Sequence, residues 1–73
     1  MRMDVRKVIG LNAHGTRLAK GLSQEEVAER MGIDRAYISG LERGKRNPTA
    51  TTIWHLPSAL GIEPANLMKP PRK

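Results

Sequence analysis

The 73 residues predict an all-α fold, a compact five-helix bundle formed by a single domain. Three observations lead there. Apolar residues recur at three- and four-residue spacing, and no period-two alternation runs long enough for a strand. Gly and Pro fall between the periodic stretches, at Gly21, Gly32, Gly44, Gly61 and Pro64. Hydrophobic residues make up 38% of the chain with no Phe, one Tyr and one Trp, which suits a small aliphatic core.

The first helix is predicted over Asp4–Lys20, with Asp4 as its N-cap, Val5, Val8, Ile9 and Ala13 as its inner stripe, and Gly21 ending it. Gly10 and Gly15 weaken it by up to ~1 kcal/mol each relative to Ala. Ser23 opens S-Q-E-E, a capping box with Glu26 at the third helical position. The second helix runs to about Met31 and stops at Gly32, a natural left-handed cap. Asp34 caps a third helix that runs to about Arg43 before Gly44, and Lys45–Thr49 (K-R-N-P-T) is a basic loop. A fourth helix starts at Thr49 or Thr51, turns Ile53, Leu56 and Leu60 inward and ends at Gly61. Pro57 lies inside it and predicts a kink or an early break, because proline lacks a backbone donor and clashes with the preceding turn. Pro64 suits a first helical turn, so Pro64–Met68 is a short fifth helix. The folded core is expected over residues 4–68, and residues 69–73 (K-P-P-R-K) are expected to form a flexible basic tail.

Composition excludes several classes of function. Without Cys there is no disulfide, thiolate metal site or cysteine nucleophile. His14 and His55 are far apart and lack other ligands, so no metal site is expected and no cofactor is implied. Neither His has an evident nucleophile or carboxylate partner, and so short a chain does not enclose a substrate; an enzyme is not expected. No apolar run approaches the roughly 20 residues of a membrane span. Arg2, Arg6 and Lys7 are followed by a broken, polar stretch rather than a signal-peptide core, so a cytoplasmic location is expected. Lys and Arg number 13 against 7 acids, a net charge of +6. Such a surface attracts polyanions or simply keeps the protein in solution, and charge alone does not choose between them.

The segment Gln24–Arg43, QEEVAERMGIDRAYISGLER, is the most informative. Ala28, Gly32, Ile38 and Leu41 stand at the spacing that two short helices need to pack steeply through a tight turn. On a helical wheel Tyr37, Ile38 and Leu41 cluster on one side of the third helix, and Arg35, Ala36, Ser39, Gly40 and Arg43 on the other. Val27, Met31 and Ile33 supply matching apolar surface, and Gly32 permits the positive φ of a tight turn. An ordinary helical hairpin needs the same buried set, but not a basic exposed face.

The stretches GLSQEEVAERMGI, DRAYISGLERGKRNP and ALGI resemble the Cro/phage-repressor type of helix-turn-helix domain, the XRE-like family of bacterial regulators. DRAYISGLER also resembles the controller proteins of restriction–modification systems. The likeness spans residues 9–68 and implies a lambda-repressor-like DNA-binding domain with its third helix in the major groove of double-stranded DNA. By position, Ser23 and Gln24 open the second helix at the DNA, where Gln24 contacts a phosphate and buttresses the third helix. Arg35 is the strongest base reader, since Arg bonds guanine O6 and N7 bidentately; the alternative is a phosphate clamp. Ala36 suits a thymine methyl, and Ser39 discriminates little. Gly40 stands where the family often has a longer polar side chain, which shifts specificity toward DNA shape. Tyr37 packs in the core or reaches DNA through its hydroxyl. Arg43, Lys45, Arg46 and Asn47 suit phosphate contacts, which position without reading sequence. The resemblance also implies a partly buried structural ion pair between Arg17 and Glu42. His14 and Gly15 replace a typically Arg-rich stretch, and Pro57 replaces a small helix former.

The function implied is a sequence-specific transcriptional regulator of the bacterial cytoplasm and nucleoid. It is expected to bind a palindromic operator as a homodimer through helix five and the end of helix four, using Ile62, Leu67, Met68 and Trp54. The alternative is a protein-interaction module of the same fold, such as the antitoxin-like partner of a toxin.

Overall fold

The computed structural model describes residues 4–70. Five helices follow one another in the order α1 (Val5–Ala19), α2 (Gln24–Met31), α3 (Arg35–Glu42), α4 (Ala50–Leu60) and α5 (Pro64–Met68). Side-chain caps start the first four. Asp4 accepts from the Arg6 N–H, Ser23 from Glu26, Asp34 from Ala36 and Thr49 from Thr52, so Thr49 rather than Thr51 opens α4. At Ser23 the capping box is complete: its hydroxyl accepts from the Glu26 N–H at 3.0 Å, and the Glu26 carboxylate accepts from the Ser23 N–H at 2.8 Å.

One device closes the same four helices. The N–H beyond each terminal glycine reaches the carbonyl five residues back, as Leu22→Arg17, Ile33→Ala28, Lys45→Gly40 and Ile62→Pro57. Gly32 matters most among these glycines, because its φ of +68° reverses the chain between α2 and α3 within two further residues.

The core is aliphatic. Ile9, Val27, Ile38, Leu41, Leu56 and Leu60 are each about 1% exposed, and Leu67 is wholly buried. Ala13 and Ala28 are also buried and let the helices approach closely. α2 packs on α3 and α4, while α1 crosses α3 and α5. At the α1–α3 crossing the backbones nearly touch: a Cβ on Gly10 would lie 2.6 Å from the Leu41 carbonyl oxygen and 2.8 Å from that of Glu42. Helix propensity marks Gly10 as a weakness, but the crossing requires it. Gly15 has open space around it instead.

Two sequence expectations are corrected here and a third, for Pro57, is narrowed. Val5 is 50% exposed and does not belong to the inner stripe of α1, since it precedes the first turn that meets another helix. Ile33 sits in the α2–α3 turn with 36% exposure, only partly matched to α3. α4 runs past Pro57 to Leu60 without a break. The ring of Pro57 is buried and its carbonyl accepts the Ile62 N–H at 2.9 Å, so packing and the C-terminal cap hold the helix across the missing donor. Asn12 on α1 donates to both the Leu67 and Lys69 carbonyls, at 2.7 and 2.6 Å, which joins the chain just after α5 to α1. Residues 71–73 of the expected tail lie outside the described residues.

Candidate nucleic-acid interface

α3 is two-sided because its sequence is. Ile38 and Leu41 are buried against α1 and α2, whereas Arg35, Ala36 and Arg43 are exposed and Ser39 is half-buried. Lys45, Arg46 and Asn47 follow in the loop, all exposed. Arg35, Ala36, Ser39 and Arg43 therefore lie along the outer side of α3, and this loop follows its C-terminal end. Gly40 differs from its expected exposure: it is buried, although the wheel places it away from the core. Tyr37 is half-buried, and its hydroxyl pairs with that of Thr52 at 3.2 Å, which Thr49 in turn meets at 3.1 Å. The ring is thereby fixed to the start of α4. The Arg46 guanidinium lies 5.2 Å from the ring centroid, within cation–π range.

A polar cluster joins this surface to the interior. Arg17 and Glu42 are nearly buried, with side-chain exposures of 10% and 4%. They meet through a forked contact, Nε to Oε2 at 2.7 Å and Nη2 to Oε1 at 3.1 Å. Arg17 also donates to the Leu22 carbonyl at 2.9 Å. Glu42 Oε1 further accepts from His14 Nδ1 at 2.9 Å and Gln24 Nε2 at 3.1 Å. An ionised carboxylate only accepts, so His14 must carry a proton on Nδ1. The 3.4 Å approach of Arg17 Nη2 to that same nitrogen is then donor against donor and contributes no bond. Burial pushes the Glu42 carboxyl up, but hydrogen bonds from Arg17, His14 and Gln24, with the Arg17 charge, outweigh it and hold the pKa below the ordinary carboxylate value.

The same logic fixes Gln24. Its amide nitrogen must face Glu42, which turns Oε1 toward Arg35, whose Nη1 donates to it at 3.2 Å. The hydroxyl of Ser23 is occupied by its cap. Sequence reasoning did not bring His14 or Thr52 to this region. His14 lies three residues before Arg17 on one helix, a spacing that puts both on a common face and was available as a signal.

Among the described residues there is no cluster of His, Asp or Glu able to hold a metal, and no helix long and apolar enough to cross a membrane. Leu67 does not belong to an intersubunit surface as expected: it is 0% exposed and fills the core beneath α1 and α4. Trp54 and Met68, at 70% and 43%, stay outside.

The helix-turn-helix family model HTH_3 matches residues 16–67. The chain belongs to this helix-turn-helix family. An uncharacterised HTH-type transcriptional regulator from Sinorhizobium fredii, y4dJ, is 48% identical over 68 residues, covering 93% of this chain and 88% of that one. The fold is similar to the restriction–modification controller protein C.AhdI from Aeromonas hydrophila, with 45% identity, a TM-score of 0.81, and 85% and 94% of the two chains covered. It is also similar to the controller protein C.Esp1396I, solved as a tetramer in complex with its natural 35 base-pair operator. That likeness has a TM-score of 0.81 at 29% identity, over 90% of this chain and 87% of that one.

Proposed function

We propose that this chain is a sequence-specific DNA-binding transcriptional regulator, which binds a two-fold symmetric operator as a homodimer with α3 in the major groove. One observation carries the reading: α3 buries Ile38 and Leu41 while presenting Arg35, Ala36 and Ser39 beside an exposed basic loop, Arg43–Asn47. Arg35 supplies base reading, and Gln24 holds its guanidinium in place. Arg43, Lys45 and Asn47 neutralise or hydrogen-bond phosphates. Relatives bearing the name of transcriptional regulator and a controller protein solved on its operator support the same direction.

The subunit contact is assigned to the end of α4 and to α5, where Trp54 and Met68 lie exposed and Ile62 half-buried. Trp54, Pro57, Ile62 and Pro64 line a shallow cleft there together with Ser58 and Glu63, a mixed surface whose apolar part a second copy would cover. Two-fold symmetry would then set the recognition helices about 34 Å apart, one turn of DNA.

Selection of bound sites from a random duplex library tests all of this. The expected result is a palindromic consensus with half-sites about one turn apart, and an affinity that falls steeply with salt. Equal recovery of random duplexes, or flat salt dependence, counts against it and favours a protein-interaction module.

A further inference from the structure

Gly40 is buried on the side of α3 that faces away from the core. What covers it is the side chain of Arg46. A Cβ on Gly40 would lie 3.0 Å from Arg46 Cγ, tighter than nine in ten such contacts, and 3.4 Å from its Nε, at the edge of ordinary contact. The far end of Arg46 rests on the Tyr37 ring, 5.2 Å from its centroid. Tyr37 is itself pinned through its hydroxyl to Thr52. The loop residue therefore lies along the recognition helix, in the sector that a side chain at position 40 would otherwise occupy.

From this seat we infer that Arg46 is a specificity-determining residue, a second base reader that takes the place of the missing side chain at position 40, rather than a phosphate clamp. The inference rests on the proposed placement of α3 in the major groove. A phosphate clamp needs only charge and reach, which a free loop side chain supplies without a seat. Reading a base edge needs direction, and the glycine notch with the aromatic floor supplies it. The guanidinium is planar and donates in a fixed fork, so once its stem is seated its donors point along one line. The ligand is a guanine O6/N7 edge, the major-groove pattern that this fork matches. Two arginines then read each half-site, Arg35 from the start of α3 and Arg46 from above Gly40.

The test uses the full chain and the duplex consensus selected with it. Wild-type selection comes first: absence of any consensus overturns the groove placement and this inference together. With a consensus in hand, Arg46→Lys is measured against every single-base variant of the site across a salt series. The expected result is loss of about ten-fold or more of the preference at one base pair per half-site, with the salt slope unchanged because the charge is kept. Gly40→Ala, whose Cβ makes the Arg46 stem give by a few tenths of an ångström and so re-aims its fork, should relax the same base pair. Added to Arg46→Ala, it should change that preference no further. Unchanged thermal melts show that the fold is intact. Preference kept at every position in both variants, with Arg46→Ala weakening all duplexes alike and lowering the salt slope while Arg46→Lys does neither, makes Arg46 a phosphate contact and overturns the inference, while the groove placement stands.

Discussion

Replacing Glu42 by Ala tests whether the α1–α3 contact depends on the buried cluster. The substitution removes the acceptor for four hydrogen bonds, two from Arg17 and one each from His14 and Gln24. Arg17 is left nearly buried, with 10% side-chain exposure and one remaining bond, to the Leu22 carbonyl. Breaking a buried pair from one side costs about 3–5 kcal/mol, and the surviving carbonyl contact places this case near the lower end, at ~3 kcal/mol. A chain of this length has a total stability of roughly 4–11 kcal/mol, so the loss is a large share of it. At ~4–8 °C per kcal/mol the melting temperature should fall by about 12–24 °C. Urea titration and thermal circular dichroism at neutral pH measure both quantities.

The paired variant Arg17→Met/Glu42→Leu removes both charges together and should recover most of the loss, since matched apolar replacements leave no buried charge. The pH dependence gives a second check. The folded Glu42 pKa lies below its ordinary value, so its stabilisation is complete above the unfolded carboxylate pKa and is lost as pH falls through the folded one. Wild type and Glu42→Ala should therefore converge in acid. A loss under ~1 kcal/mol, or a double variant no more stable than the single one, refutes the reasoning.

The two glycines inside α1 should respond with opposite signs. Gly10→Ala, which drives a Cβ into two backbone carbonyls, should lower the melting temperature by about 10 °C or more, whereas Gly15→Ala, in open space, should raise stability by up to ~1 kcal/mol. Arg35→Ala should abolish preference for the selected operator in a competition gel shift while the melt stays unchanged; a preserved specificity ratio removes Arg35 as a base reader. Pro57→Ala should raise the melting temperature modestly. Relief of a mid-helix proline is worth ~3 kcal/mol, offset by ~2 kcal/mol for the buried ring atoms removed, and a lower melting temperature would show that the ring's packing outweighs the missing donor.

Helix ends were legible because each is written locally. Ser23 with Glu26, Asp34, Thr49 and the four terminal glycines act within a turn of where they stand. The buried side of α3 was legible for the same reason, as a wheel needs only spacing. What spacing alone cannot supply is which distant segment arrives at a given face. By helix propensity alone Gly10 is a cost, and only the backbone of α3 lying against it makes glycine a requirement there. Gly40 looked like an empty position on the reading surface, because the residue that fills it comes from six residues later and from outside the helix. Leu67 looked available for a partner because a five-residue helix gives no periodicity from which to choose a face.

These long-range arrivals bear on affinity as well as on stability. An exposed arginine normally loses about 0.5–1.5 kcal/mol of rotamer freedom when it is fixed on a partner. In the proposed complex neither reader starts free. Arg35 is held by Gln24, whose amide has a single workable orientation because Glu42 accepts from its nitrogen. Arg46 is held between the Gly40 notch and the Tyr37 ring. Part of the ordering cost is thus met when the domain folds, and the carboxylate of Glu42 takes part in both events. Binding and stability should then separate by variant. Gln24→Ala should weaken preference at the Arg35 base pair with little loss of stability, because Glu42 keeps its Arg17 and His14 bonds. A large fall in melting temperature with unchanged preference would show instead that Gln24 serves the core and not the reader.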